Sequence, residues 1–272
     1  MTDDVWTNIE KLEEGTVILR VTVEGRTSWG RKAGEKVELL DADLRPTGRK
    51  CEEGEFSYRT PIDPVKIWCI GLNYREHAKE SHMEVPEEPC VFMKPRTCVV
   101  AHKEPVKLPA WVGRVDYEGE LAVVIGKACR NVSEDKALDC VLGYTCFNDV
   151  SARVLQKKDG QWIRSKGFDT FGPLGPGLLV AKSLPETPEL MTRLNGAVVQ
   201  RSRFGDMIFS VSAIISHLSR FATLEAGDVI ATGTPNGVGP VQPGDTVEIS
   251  IDGVGTLENL FIADGAAEST AK

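Results

Sequence analysis

Nothing in this sequence approaches the ~20 consecutive apolar residues that a membrane-spanning helix requires. Its opening run, MTDDVWTNIEKLEEG, is acidic where a secretion signal is basic and then apolar. A reducing cytoplasm is therefore the expected setting. Positive charge is also short. The 32 Lys and Arg against 40 Asp and Glu leave a net charge of −8, so no general attraction to phosphate backbones or anionic lipid is expected, and nucleic acid is not an expected partner. No G-x-G-x-x-G follows a predicted strand, and TGTPNGVG (232–239) lacks that spacing, which leaves a nucleotide-binding dehydrogenase without support. The seven cysteines are an odd number and contain no C-x-x-C pair of the zinc or redox kind, so most are expected to be buried thiols. No fixed-period repeat and no low-complexity stretch occurs.

What remains is ordinary globular composition, 41% apolar and 26% charged over 272 residues, enough for one large domain or a small one joined to a larger. TVILRVTV (16–23) and KVELL (36–40), separated by glycine-bearing turns, predict a small β-meander, and Pro61 and Pro64 mark a boundary. A small N-terminal β-domain at 1–63 and a main domain at 64–272 are expected. In the latter, strands are predicted at 66–72, 118–125, near 143–147, and at 229–231, 246–251 and 257–261. Helices are predicted at 74–81, from a Ser133 cap through Leu142, from about 151 to 157, and at 210–221.

The segment Val115-Asp116-Tyr117-Glu118-Gly119-Glu120-Leu121 carries the most chemistry. On a strand, Glu118 and Glu120 share a face, with Gly119 between them leaving room for an approach to the backbone. Two adjacent carboxylates repel unless a cation or water lies between them. The plain alternative is an exposed acidic edge. Asp149, in FNDVSAR (147–153), follows a strand and precedes a helix, where capping is the plain duty. Three carboxylates without His or Cys suit Mg²⁺, Mn²⁺ or Ca²⁺ better than zinc or copper. His77 and Glu80, three apart on a predicted helix, share a face; the carboxylate would orient the ring and suit it to accept a proton, although such pairs are often surface ion pairs. His217 lies in an apolar helical pattern and reads as structural. His82, just beyond the pair, reads as solvent-exposed. The GTPNG turn (233–237) offers backbone N–H groups to an oxyanion, or is simply a β-turn.

The runs GLNYREHAKE (71–80), FMKP (92–95), VDYEGELAVVIGK (115–127), FNDVSAR (147–153), KGFDTFGPLGP (166–176) and FSVSAIISHLSRFATLEAGDVIATGTPNGVG (209–239) together resemble the fumarylacetoacetate hydrolase superfamily, in order and over roughly residues 65 to 262. That resemblance implies an α+β, predominantly β fold, a mixed β-roll wrapped around the site. It implies metal ligation by Glu118, Glu120 and Asp149, with Mg²⁺ the expected ion. A catalytic His77–Glu80 dyad on a lid is implied, with Lys166 at the substrate and Arg153, Gln156 and Thr234 as substrate contacts. The implied reaction is metal-dependent hydrolysis of a C–C bond in a 2-oxo acid or β-dicarbonyl, acylpyruvate or fumarylacetoacetate-like, through a metal-stabilised enolate. Isomerisation, tautomerisation or decarboxylation of a 2-oxo dicarboxylate on the same site is the alternative, and a silent metal-binding protein the rival from another class. A small-molecule 2-oxo acid and a second copy of the chain, as a homodimer, are the expected partners.

Overall fold

A computed structural model describes residues 8–184 and 187–265. The residue patterns that predicted strands do form them, because runs rich in Val, Ile and Leu bury well on a pleated surface. One long sheet runs, edge to edge, through Pro46–Cys51, Lys36–Leu40, Arg26–Ala33, Val17–Val23, Gly172–Val180, Val141–Asn148, Gly119–Ile125, Val229–Ala231, Ile67–Gly71 and Cys90–Lys94. Its central strands, GELAVVI and VLGYTCFN, are buried at every position, as strands covered on both faces must be.

The cover on one face is a second sheet of Ala197–Arg203, Glu189–Leu194, Thr246–Ile251, Gly255–Ala263 and Val106–Leu108. Leu121, Val123, Tyr144 and Cys146 from the long sheet share one core with Leu190, Val247, Ile249, Leu257 and Phe261 from the second. Helix Val211–Phe221 adds Ile214, Ile215 and Leu218 to that core, and Ser210 caps it by accepting the Ala213 N–H at 3.2 Å. The fold is thus predominantly β, as the resemblance implied.

The strands between residues 17 and 51 continue the long sheet. Val17–Val23 pairs antiparallel with Gly172–Val180, Val17 opposite Leu179. Ile18, Leu40, Leu44 and Ile62 share a core with Ile67, Ala122 and Phe147, while Leu19, Val21, Val23, Val37, Leu39 and Cys51 form a smaller cluster of their own. All seven cysteines are free thiols, six of them buried and Cys90 exposed. Among the described residues no helix is long and apolar enough to cross a membrane.

Two helices differ from expectation. The helix expected from Ser133 through Leu142 is only Glu134–Ala137, followed by a 3₁₀ turn at Leu138–Cys140. Val141 pairs with Ile125 and opens the strand Val141–Asn148, so the ladder takes Val141 and Leu142, which local pattern assigned to a helix. The helix expected from Ser151 begins at Arg153, because Ser151 and Ala152 pair with Asp116 and Val115 in a small third sheet.

His102 joins distant parts of the chain. Its Nδ1 accepts the Glu258 N–H at 3.0 Å, and its ring meets Tyr58 edge-on at 4.4 Å. Burial, and then the nearby Lys103, push its pKa down from 6.5 to about 4. Below 6.5 the unfolded chain takes a proton that the folded chain refuses until about 4, so the neutral ring's contribution to stability, whole above 6.5, is lost as pH falls across that window. Urea midpoints measured at pH 7 and 4.5 should therefore differ less in His102→Gln than in the parent; an equal difference refutes this account of His102.

Candidate active site

The carboxylates converge because of strand register. Gly119–Ile125 and Val141–Asn148 form an antiparallel hairpin in which Gly119 faces Asn148 and Glu120 faces Phe147. Residue 149 therefore emerges beside residue 118. The Asn148 side chain accepts the Glu118 N–H at 3.0 Å, and the Asp149 N–H donates to the Glu118 carbonyl at 2.9 Å. Glu118, Glu120 and Asp149 each place a carboxylate oxygen within 4.8 Å of the others, and all three are buried.

Two expectations about this cluster are corrected. Glu118 is not on a strand but at the break between Val115–Tyr117 and Gly119–Ile125, which belong to different sheets. The room at Gly119 is also taken. A Cβ there would lie 2.1 Å from Thr192 Oγ1 in the second sheet, and its N–H donates to Gln200 Oε1 at 3.0 Å. What approaches the backbone is the covering sheet.

Three buried negative charges need counter-charge. Lys166 Nζ, 2% exposed, donates to Glu118 at 2.8 Å and Asp149 at 2.5 Å, with the Phe92 and Trp162 rings 5.0 and 5.8 Å away. Lys94, equally buried, donates to the other Asp149 oxygen at 2.6 Å and to the Phe171 carbonyl at 2.7 Å. Arg153 Nη2 comes 2.6 Å from Glu118 but off the hydrogen-bond direction, an ion pair whose donor stays unmatched. Burial alone would raise Glu118, yet Lys166 and then Arg153 hold its carboxyl well below the usual range. Burial disfavours the charged form of Lys166 too, and Asp149 and Glu118 reverse this, holding the ammonium above its ordinary range.

Glu120 is treated differently. Burial, then Asp149 and Glu118, push its carboxyl well above the usual range, and it accepts the neutral Gly233 N–H at 2.8 Å. A hard divalent cation with oxygens at about 2.0 to 2.6 Å brings neighbouring ligand oxygens roughly 3 to 4 Å apart. The buried all-oxygen cluster within 4.8 Å fits such an ion, and among the described residues Glu120 is the member that no cationic side chain pairs with directly, Lys166 acting on it from its places at Glu118 and Asp149.

Around the cluster lies a cavity of about 670 Å³ whose wall includes His77, Glu80, Glu118, Glu120, Asp149, Arg153, Gln156, Lys166 and Thr234, every site residue the sequence nominated. His77, 8% exposed, sits on helix Arg75–Glu80 with its Nδ1 3.1 Å from Glu80 Oε2. Arg153 Nε donates to Asp116 at 2.8 Å and its Nη1 to Gln156 at 2.9 Å. The Thr234 hydroxyl donates to the Gly119 carbonyl and accepts from Gln200, each at 2.9 Å, so it ties the two sheets together at the cavity wall. Two of the turn amides are already engaged: Gly233 serves Glu120, and Gly237 donates to both Glu80 oxygens at 3.0 and 3.2 Å. His82 is exposed at the rim, and His217 lies on the long helix edge-on to Phe221.

Three residues went unassigned. Lys94 stood inside FMKP, where a lysine closing an apolar strand was the available signal. Asp116, 1% exposed, is held between Arg153 and Arg114, which approaches at 2.7 Å. Gln200 is 2% exposed in a strand whose local pattern gives no hint of it.

This constellation on a β-roll defines a fumarylacetoacetate hydrolase-type fold. The pattern of the fumarylacetoacetate (FAA) hydrolase C-terminal family matches residues 66–262, and the chain belongs to that family. It is 47% identical over 219 residues to the oxaloacetate tautomerase YisK of Bacillus subtilis, covering 75% of this chain and 73% of that one. The 2-hydroxyhepta-2,4-diene-1,7-dioate isomerase of Mycobacterium marinum superposes with a TM-score of 0.81 at 39% identity, over 92% of this chain and 99% of that one. The maleylpyruvate hydrolase of Sphingobium sp. SYK-6, solved with manganese(II) and pyruvate, superposes with a TM-score of 0.76 at 28% identity, over 91% and 99%.

Glu120→Gln should lower Mn²⁺ affinity by more than about tenfold in calorimetric titration, since one of three ligands is weakened. It should leave the urea midpoint unchanged or higher, because the substitution removes like-charge crowding. Lys94→Met should instead cost about 3 to 5 kcal/mol of stability in the same melts by stripping Asp149 of a buried partner.

Proposed function

We propose that this chain is a divalent-metal-dependent enzyme that moves a proton on a 2-oxo dicarboxylate, interconverting its keto and enol or double-bond isomers. What supports the reading most is the sharing of one cavity wall by the His77–Glu80 pair and the Glu118, Glu120 and Asp149 cluster. An oxygen cluster alone needs no base beside it, which weighs against a silent metal-binding protein.

Glu118, Glu120 and Asp149 would hold the cation, Mg²⁺ or Mn²⁺, which when bound supplies a Lewis acid toward the 2-oxo acid. With Nδ1 turned to Glu80, His77 keeps Nε2 for exchanging a proton with the substrate carbon. Glu80 fixes the tautomer and stabilises the imidazolium that forms. Lys166 offers a fixed positive charge to the oxygen that gains electron density. The unmatched Arg153 Nη2, together with Gln156, would hold the carboxylate beside the 2-oxo group. Arg114 and Lys157 on the same wall add positive charge suited to a second carboxylate at the far end. The named tautomerase and isomerase, at 47% and 39% identity, favour this reading over the hydrolase at 28%.

The second reading keeps the same parts. If His77 takes its proton from water, the site hydrolyses a C–C bond of an acylpyruvate-like substrate, as the name of the maleylpyruvate hydrolase suggests for that protein. Loss of a carboxylate from oxaloacetate would use the same electron-withdrawing arrangement.

Assays with Mg²⁺ on oxaloacetate, 2-hydroxyhepta-2,4-diene-1,7-dioate, maleylpyruvate and acylpyruvates separate these reactions, and keto–enol or double-bond interconversion is the expected activity. His77→Ala should lower kcat by about 10²- to 10⁴-fold with Mn²⁺ affinity unchanged. Activity that survives exhaustive chelation defeats the proposal, and lost metal binding in His77→Ala reassigns the histidine as a ligand.

A further inference from the structure

The six-residue helix Arg75–Glu80 is too short to persist on its own, so the orientation of His77 depends on what the helix is tied to. Its leading end is tied by Asn73, fully buried. The Asn73 side chain donates to the carbonyls of Phe209 and Thr232 at 3.0 and 2.8 Å and accepts the Phe209 N–H at 2.7 Å. Its trailing end is tied across the chain by the Gly237 N–H on both oxygens of Glu80. Gly237 is in turn held from its other side, where its carbonyl accepts the Tyr117 hydroxyl at 2.8 Å. At φ +95°, with a Cβ that would fall 2.1 Å from the Val199 carbonyl oxygen, this position admits glycine and no larger residue. A glycine has no side chain with which to anchor its own turn. Tyr117, 3% exposed and not on the cavity wall, supplies the anchor, and it directly precedes Glu118.

We propose that Tyr117 is the positioning residue of the proton-transfer pair: through Gly237 it fixes Glu80, and through Glu80 it fixes the His77 ring relative to the backbone that carries Glu118. The inference rests on the reading of His77 and Glu80 as that pair. The hydrogen bonds run in one sequence, from the Tyr117 hydroxyl to the Gly237 carbonyl, from the Gly237 N–H to Glu80, and from Glu80 to His77 Nδ1. Loss of the first removes the hydrogen bond on the Gly237 carbonyl, and the turn is then held at its flanks, by Thr234 and Pro235 on one side and by Gly239 on the other. The carboxylate of Glu80 then follows the turn, and the imidazole samples both tautomers.

Tyr117→Phe removes one hydroxyl and retains the ring against Gly239. In the full Mg²⁺-loaded chain it should lower kcat about tenfold, leave KM within about twofold and leave Mn²⁺ affinity unchanged. The double variant Tyr117→Phe/Glu80→Ala should be no slower than Glu80→Ala alone, because the first acts through the second. Without substrate, ¹⁵N spectra of the His77 side chain should pass from one tautomer in the parent to a mixture in Tyr117→Phe. An unchanged kcat, an unchanged tautomer, or losses that multiply in the double variant would overturn the assignment. Should Tyr117→Phe fail to fold, exchange of the Tyr117 hydroxyl proton in the parent decides the first link, slow exchange with solvent supporting it and exchange at the free-phenol rate overturning it. A parent that turns over none of the substrates counts against the proposed reaction alone, since the tautomer and exchange measurements need no turnover.

Discussion

Three carboxylates within 4.8 Å of one another, all out of water, set the terms for the rest of this structure. A buried carboxylate is tolerated only with matched charge and hydrogen bonds. Lys166 and Lys94 provide both for Asp149, and Lys166 with Arg153 does so for Glu118. Those cations need partners in turn, which accounts for the Phe171 carbonyl at Lys94 and for Asp116 between two guanidiniums. The cavity is therefore a layered arrangement of charge with Glu120 as the least compensated member. That imbalance gives the cluster its fitness for a hard cation.

Holding such a cluster requires a frame that does not yield. The hairpin of Gly119–Ile125 and Val141–Asn148 lies inside the long sheet with its strands buried along their length. Gln200, from the covering sheet, reaches in to accept the Gly119 N–H and to donate to Thr234 and the Pro235 carbonyl. One side chain thus joins three segments next to the ligands. Gly119 is required because Thr192 occupies the space a side chain would need. A rigid wall of this kind favours pre-organised binding over adjustment on contact.

The His77–Glu80 pair is built on the opposite principle. Its helix has only six residues, is tied at Asn73 and at Gly237 and is exposed on Lys79 and Glu80. Leu72, just ahead of it, has a φ of +55°, an unfavourable conformation for a branched side chain, which surrounding contacts must maintain.

Much was legible in the residues themselves. Lys36–Leu40, Val229–Ala231 and Thr246–Ile251 begin and end where their β-branched runs do, because side-chain pattern and backbone pairing agree there. Of the nine site residues, Glu118, Glu120, Asp149, His77 and Glu80 drew attention through local chemistry, carboxylates in short motifs and a His–Glu pair, whereas Lys166, Arg153, Gln156 and Thr234 were implied by the family resemblance. Only the tertiary structure decided that Glu118 leaves its strand, that Val141 joins a ladder rather than a helix, that Lys94 holds Asp149, and that the turn amides serve Glu120 and Glu80. Each of those facts depends on partners between 16 and 157 residues away, as with Ile125 and Val141, Lys94 and Asp149, Glu120 and Gly233, or Glu80 and Gly237. Local periodicity reports which face of an element is apolar; it holds no information about which distant charge or amide will meet that face once the sheets close.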